Sequence, residues 1–161
     1  MTEVRGAVNG TTRCVALAAA SFNEVVVSRL VDGALACLRA NGVSEDAVTV
    51  VWAPGAFELP LLARRLASSG RYDAVVCVGA VIRGETQHFH FVAQAAASGV
   101  QDAAAATGVP ITFGVLTTDT MQQALDRAGG SHGNKGWEAA AAALQMASAL
   151  DRLPGPGREG A

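Results

Sequence analysis

Two histidines, His88 and His90, follow a short loop made of Arg83, Gly84, Glu85, Thr86 and Gln87. Backbone amides of Glu85, Thr86 and Gln87 at the start of a helix form a ready anion site, and the Thr86 hydroxyl adds a donor. Gly84 is expected to let the backbone turn sharply before it. No GKS or GKT follows, so the loop is not a Walker A phosphate cradle. A neutral imidazole beside an anion suits proton transfer near pH 7. A shared zinc ion is disfavoured, because residues two apart on a helix of ~3.6 residues per turn point about 200° apart. His132 is remote in sequence, and no Cys or acidic partner completes a ligand set.

Other chemistry-bearing residues lie further off. Glu58 follows the Pro54–Gly55 turn, where it is either an acid complementing a helix dipole or a carboxylate for a hydroxylated ligand. Phe22 and Asn23 follow an apolar run, and Phe113 sits inside another. Arg127 lies before the Gly-rich stretch 129–136, and Lys135 near its end. Each is a favourable cation near a helix end or a contact for phosphate or carbonyl.

These residues need a frame, and apolar periodicity supplies one. Strands are expected at Cys14–Ala20, Val48–Trp52, Ala74–Ile82 and Ile111–Leu116. Helical stripes lie between them: Val27 to Leu38, stopped by Asn41–Gly42, then Leu59 to Leu66, closed by Gly70. An Ala-rich helix is expected from His88 to Thr107. Asp119 and Gln122 resemble a capping box for a stripe through Met121, Leu125 and Ala128, and a last helix runs from Trp137 to Leu150. Four alternations predict right-handed crossovers and a four-stranded parallel sheet between helical layers. Such sheets bind ligands at the carboxyl ends of their strands. Functional residues are therefore expected just after Ala20, Trp52, Ile82 and Leu116.

Composition narrows the classes. The 161 residues suit one domain over 1–153, with PGPGREGA reading as a flexible tail over 154–161. Half the chain is hydrophobic but only 5% is aromatic, a mix for helices packed tightly on a sheet. A net charge of −2 gives no reason to expect nucleic acid or an anionic membrane. No apolar run is long enough to span a bilayer, and the run ending at Ala20 suits a core strand better than a signal peptide. Cys14, Cys37 and Cys77 lack a CxxC spacing and read as buried free thiols in a reducing cytoplasm.

The order of the motifs carries a resemblance. SFN (21–23), PGAFELP (54–60), GAVIRGETQHFHFV (79–92), PITFGVLTTDTMQQALDRAG (110–129) and GNKGWEAA (133–140) follow one another as in lumazine synthases. The likeness spans about Val4 to Leu150. It implies a flavodoxin-like α/β/α sandwich in three layers, with a strand added at the N-terminus. It also implies condensation of 5-amino-6-(D-ribitylamino)uracil with 3,4-dihydroxy-2-butanone 4-phosphate, without cofactor or metal. Phe22 would stack on the pyrimidine, with Asn23 and the backbone at Val81 and Ile82 on its polar edge. Glu58 and the backbone at Ala56 and Phe57 would hold the ribityl hydroxyls. Gly84, Glu85 and Thr86 would bind phosphate, Arg127 would close over it, and His88 would move protons. Phe113, Arg127 and Lys135 would come from a neighbouring subunit.

Members of the family form pentamers, and some assemble twelve of these into a hollow icosahedral shell. The short break 129–136 resembles the shell formers. Two positions depart from the family: Ser21 stands where a basic residue is usual, and His90 where an acid is common. A carboxylate missing so near His88 would lower its basicity if the two touched. Two rival readings are a non-catalytic flavin- or lumazine-binding protein and a purely structural shell protein. Both would tolerate loss of His88, Arg127 or Lys135, and all three are present.

Overall fold

An uncharged run such as VALAAA can be covered on both faces. Val15–Ala20 accordingly forms β1 in the middle of a sheet, with all six side chains buried. The computed structural model describes residues 1–155. Most of the expected tail, 156–161, lies outside the described residues. The other elements follow in alternation: α1 (Glu24–Ala40), β2 (Val48–Ala53), α2 (Leu59–Ala67), β3 (Ala74–Ile82), α3 (His88–Thr107) and β4 (Ile111–Thr118). Then come α4 (Met121–Arg127), a small hairpin of β5 (Ala128–Gly130) and β6 (Gly133–Asn134), and α5 (Lys135–Leu150).

The main sheet is parallel throughout, in the order β2-β1-β3-β4. Side chains alternate across it with period two. Val15, Leu17 and Ala19 of β1, with Val76, Val78 and Ala80 of β3, pack beneath α1 and α5. Ala16, Ala18 and Ala20, with Val75, Cys77 and Val81, pack beneath α2 and α3. The result is the expected three-layer α/β/α sandwich of flavodoxin-like strand order.

None of the eight aromatic residues is fully buried. The core is therefore aliphatic, and the aromatic surface is left for ligands or other chains. Where small residues replace bulk, helices cross closely: a Cβ on Gly136 would stand 1.9 Å from the Leu30 carbonyl oxygen of α1. Gly108, at φ 68°, closes α3 in the left-handed conformation.

Several expectations need correction. Residues before Val15 form no strand. The outer edges of β2 and β4 stay unpaired among the described residues, and the segment instead runs along α5, where the Ala7 amide donates to Ser148 Oγ at 3.0 Å. Cys14 is only half-buried, because it precedes the strand; Cys37 and Cys77 are buried. The cap of α4 lies one residue later than expected. Thr120 Oγ1 accepts from the Gln123 amide at 3.1 Å, while Gln123 Oε1 accepts from the Asp119 amide at 2.8 Å. Helix α5 begins at Lys135 rather than Trp137, since Asn134 Oδ1 accepts from the Gly136 and Trp137 amides. Strands β2 and β4 run one and two residues beyond their expected ends.

Candidate active site

Strand β1 lies between β2 and β3, and the connections on its two sides pass over opposite faces of the sheet. That is a topological switch point, where the carboxyl ends of the strands leave a crevice. The chain prolongs the β1–β2 pairing into it. Ser21 donates its amide to the Ala53 carbonyl at 2.8 Å, and Phe22 to that of Pro54 at 3.0 Å. Asn23 then turns through the left-handed region (φ 60°, ψ 42°), and its Nδ2 donates to the Ala80 carbonyl at 2.9 Å. The ends of all three strands are thus fixed around a cavity of about 700 Å³.

Its floor is the main chain of Ala80, Val81 and Ile82, and one wall is the turn from Pro54 to Glu58. Glu58 ends a one-turn 3-10 helix (Ala56–Glu58), with its carboxylate folded back toward Gly55 and exposed to the cavity. Among the described residues it enters no ion pair, so its oxygens are available to hydroxyl donors. Phe22 and Phe57 stand at the rim, 72% and 60% exposed, which leaves aromatic surface accessible to a ligand.

The opposite wall is the loop after β3 and the first turn of α3, including Gly84, Thr86 and His88. Helix α3 has no side-chain cap and no acid in its first turn. Its orphan amides and positive dipole end are therefore left for an anion. Thr86 Oγ1 accepts from the His88 amide at 3.4 Å. Gly84 does not adopt a positive φ, and a Cβ there would meet nothing within 4 Å. The chain bends just after it, at Glu85 and Thr86, without needing a left-handed glycine; what Gly84 leaves is open space beside the backbone.

A family model described as 6,7-dimethyl-8-ribityllumazine synthase matches residues 13–151. The chain belongs to the lumazine synthase family. This is a family of transferase-type enzymes in riboflavin biosynthesis.

Within this member of the family the expected site residues divide. Phe22, Asn23, Ala56, Phe57, Glu58, Val81, Ile82, Gly84, Thr86 and His88 line the one cavity. Glu85 belongs to its loop without lining it. Phe113 lines a second groove of about 450 Å³, with Arg83, Phe89, His90 and Asp119. Arg127 donates to the Gln123 carbonyl of its own helix at 3.1 Å, and Lys135 pairs with Glu138 at 2.7 Å. Neither cation reaches the cavity of its own chain.

The two histidines also part company, as their spacing requires. His88 faces the first cavity, whereas His90 faces the second groove, where its Nε2 lies 3.2 Å from Arg83 Nη1. The departure at His90 therefore bears on Arg83 and not on His88. Among the described residues no three His, Cys, Asp or Glu side chains gather as a metal would need. Phe91 and Val92 line the cavity too, and sequence reasoning missed them. Their signal was present, since positions three and four after His88 share its helical face. No helix among the described residues is long and apolar enough to cross a membrane.

Proposed function

We propose that this chain is a 6,7-dimethyl-8-ribityllumazine synthase, joining 5-amino-6-(D-ribitylamino)uracil to 3,4-dihydroxy-2-butanone 4-phosphate with release of phosphate and water. One observation carries the reading. A single cavity joins an exposed aromatic ring, an unpaired carboxylate, an uncapped helix start and an imidazole. Those four features match a planar heterocycle, a polyol, a phosphate and a proton-transfer step.

In this reading Phe22 stacks on the pyrimidine, while Asn23 and the main chain at Val81 and Ile82 meet its polar edge. Glu58, with the main chain at Ala56 and Phe57, accepts and donates hydrogen bonds along the ribityl chain. Gly84, Glu85 and Thr86 hold the phosphate through amides and a hydroxyl. The substrate's amine attacks the ketone carbonyl, and His88 moves protons as water leaves to form the imine and as phosphate departs. Most of the acceleration comes from placement, because the amine is already a nucleophile and phosphate a usable leaving group.

The same reading completes the site with a second copy of the chain. Phe113, Arg127 and Lys135 lie off the cavity of their own chain, and Phe22, Phe57 and Phe91 stand uncovered at its mouth. A neighbour offering Phe113, Arg127 and Lys135 would cover that mouth, with Arg127 closing on the phosphate. The assembly proposed is a pentamer, with twelve pentamers in a shell, which suits the tight β5–β6 hairpin between α4 and α5. Native mass decides it, at five or at sixty times the 16.3 kDa chain. The reaction itself is tested by mixing purified protein with both substrates and following lumazine absorbance. Acceleration over the spontaneous reaction is expected; its absence would leave a binding or shell protein.

A further inference from the structure

Arg83 lines the second groove, and Phe89, which it touches, lines both. Its amide donates to the Thr118 carbonyl at 2.8 Å, prolonging the β3–β4 pairing by one residue. Its guanidinium meets three groups from two other segments. Nε donates to Asp119 Oδ1 at 2.6 Å, and Nη1 lies 3.2 Å from His90 Nε2. Cζ lies 4.9 Å from the centroid of the Phe89 ring. Arginine has only donors, so in this contact His90 Nε2 is the acceptor. Asp119 belongs to the turn after β4; Phe89 and His90 belong to the first turn of α3, where their rings meet edge to face at 5.3 Å.

The loop beyond Arg83 has little to hold it. Nothing lies within 4 Å of a Gly84 Cβ, α3 has no side-chain cap, and Glu85 makes no side-chain contact among the described hydrogen bonds and ion pairs. Inside it, Thr86 Oγ1 accepts from the His88 amide at 3.4 Å, a long bond. A segment so lightly tethered opens easily unless its ends are fixed.

We propose that Arg83 is a positioning residue. By gripping Asp119 on one side and the Phe89–His90 edge on the other, it fixes Gly84–Gln87 and the first turn of α3. That shape presents the amides and His88 to the phosphate-bearing substrate. The guanidinium lies over the Phe89 ring while its N–H groups serve the carboxylate and the imidazole, which a lysine cannot do at once. The ligand's identity rests on the proposed function; the ordering of the loop does not.

The test combines amide hydrogen exchange with steady-state kinetics on the full chain. In Arg83→Ala the hydrogen-bonded amides of residue 83, His88 and His90 should exchange roughly 5- to 30-fold faster, the range expected for losing an exposed ion pair and a cation–π contact together. KM for the butanone phosphate should rise by a similar factor, while KM for the ribitylaminouracil stays within about two-fold. The thermal midpoint should hold, which separates local loosening from general damage. Arg83→Lys should recover part of the effect, and the exchange Arg83→Asp with Asp119→Arg should recover the ion pair's share. Unchanged exchange in Arg83→Ala would overturn the proposal, as would faster exchange with both KM values unmoved. If the parent protein makes no lumazine, the exchange comparison alone decides whether Arg83 orders the loop.

Discussion

The side-chain amide of Asn23 donates to the main-chain carbonyl of Ala80 at 2.9 Å, tying the end of β1 to β3 at the floor of the cavity. Asn23 does this from a left-handed backbone (φ 60°), which Asn tolerates better than most residues. Asn23→Ala loses the bond and strains the turn, so a destabilisation of about 2 kcal/mol is expected. Asn23→Gly relieves the backbone and should recover about half. Denaturant midpoints of the two variants measure the difference.

Gly84 gives a cleaner separation of folding from binding. A Cβ there meets nothing within 4 Å, and the backbone is not in the left-handed region. Gly84→Ala should therefore leave stability within about 0.5 kcal/mol of the parent. The methyl group would occupy the open space beside the loop amides, and the KM of the phosphate-bearing substrate should rise. Equal KM values would show that phosphate does not approach this backbone.

His88→Ala should lower the rate roughly 10- to 100-fold, at the low end of general acid–base effects. Arg127→Ala should cost more, because it removes the clamp on the phosphate. Single-turnover rates compare them. A loss at His88 equal to or greater than that at Arg127 would mean that proton transfer, not placement, limits the reaction.

Burial pushes the Cys77 thiol up to about 12 and raises Cys37 in the same direction. An unfolded chain loses these protons near the ordinary value of 9.0, so it binds fewer protons than the native state above that pH. Stability should be steady below about pH 9 and fall above it, at up to about 1.4 kcal/mol per pH unit from Cys77 alone. Denaturant unfolding at pH 8.5 and at pH 10.5, with and without Cys77→Ala, reads the slope (about two pH units apart). Half-buried Cys14 should react first with an alkylating reagent in the native state.

Sequence patterning located the elements best where burial is one-sided or complete. β3 and α3 match their expected bounds, because AVVCVGAVI is an unbroken apolar run and Gly108 ends the helix cleanly. The same reading misplaced the α4 cap and the start of α5, since both lie where side-chain hydrogen bonds of Thr120 and Asn134, not periodicity, set the boundary. The strand before Val15 was implied by the resemblance rather than by patterning, and that segment lies along α5 instead. Strand-end reasoning brought Phe22, Glu58 and His88 toward one crevice. The role of Arg83 was illegible, because its partners come from segments 6 to 36 positions away that only the fold brings together.

The central claim is that the cavity of one chain is completed by Arg127 of another. Co-expressing His88→Ala with Arg127→Ala tests it directly. In a mixed assembly some sites combine an intact His88 from one chain with an intact Arg127 from its neighbour. Random assortment of equal amounts makes that roughly one site in four. Activity near that fraction of the parent's, well above either variant alone, is the predicted result. Activity equal to the mean of the two separate variants would contradict a site shared between chains.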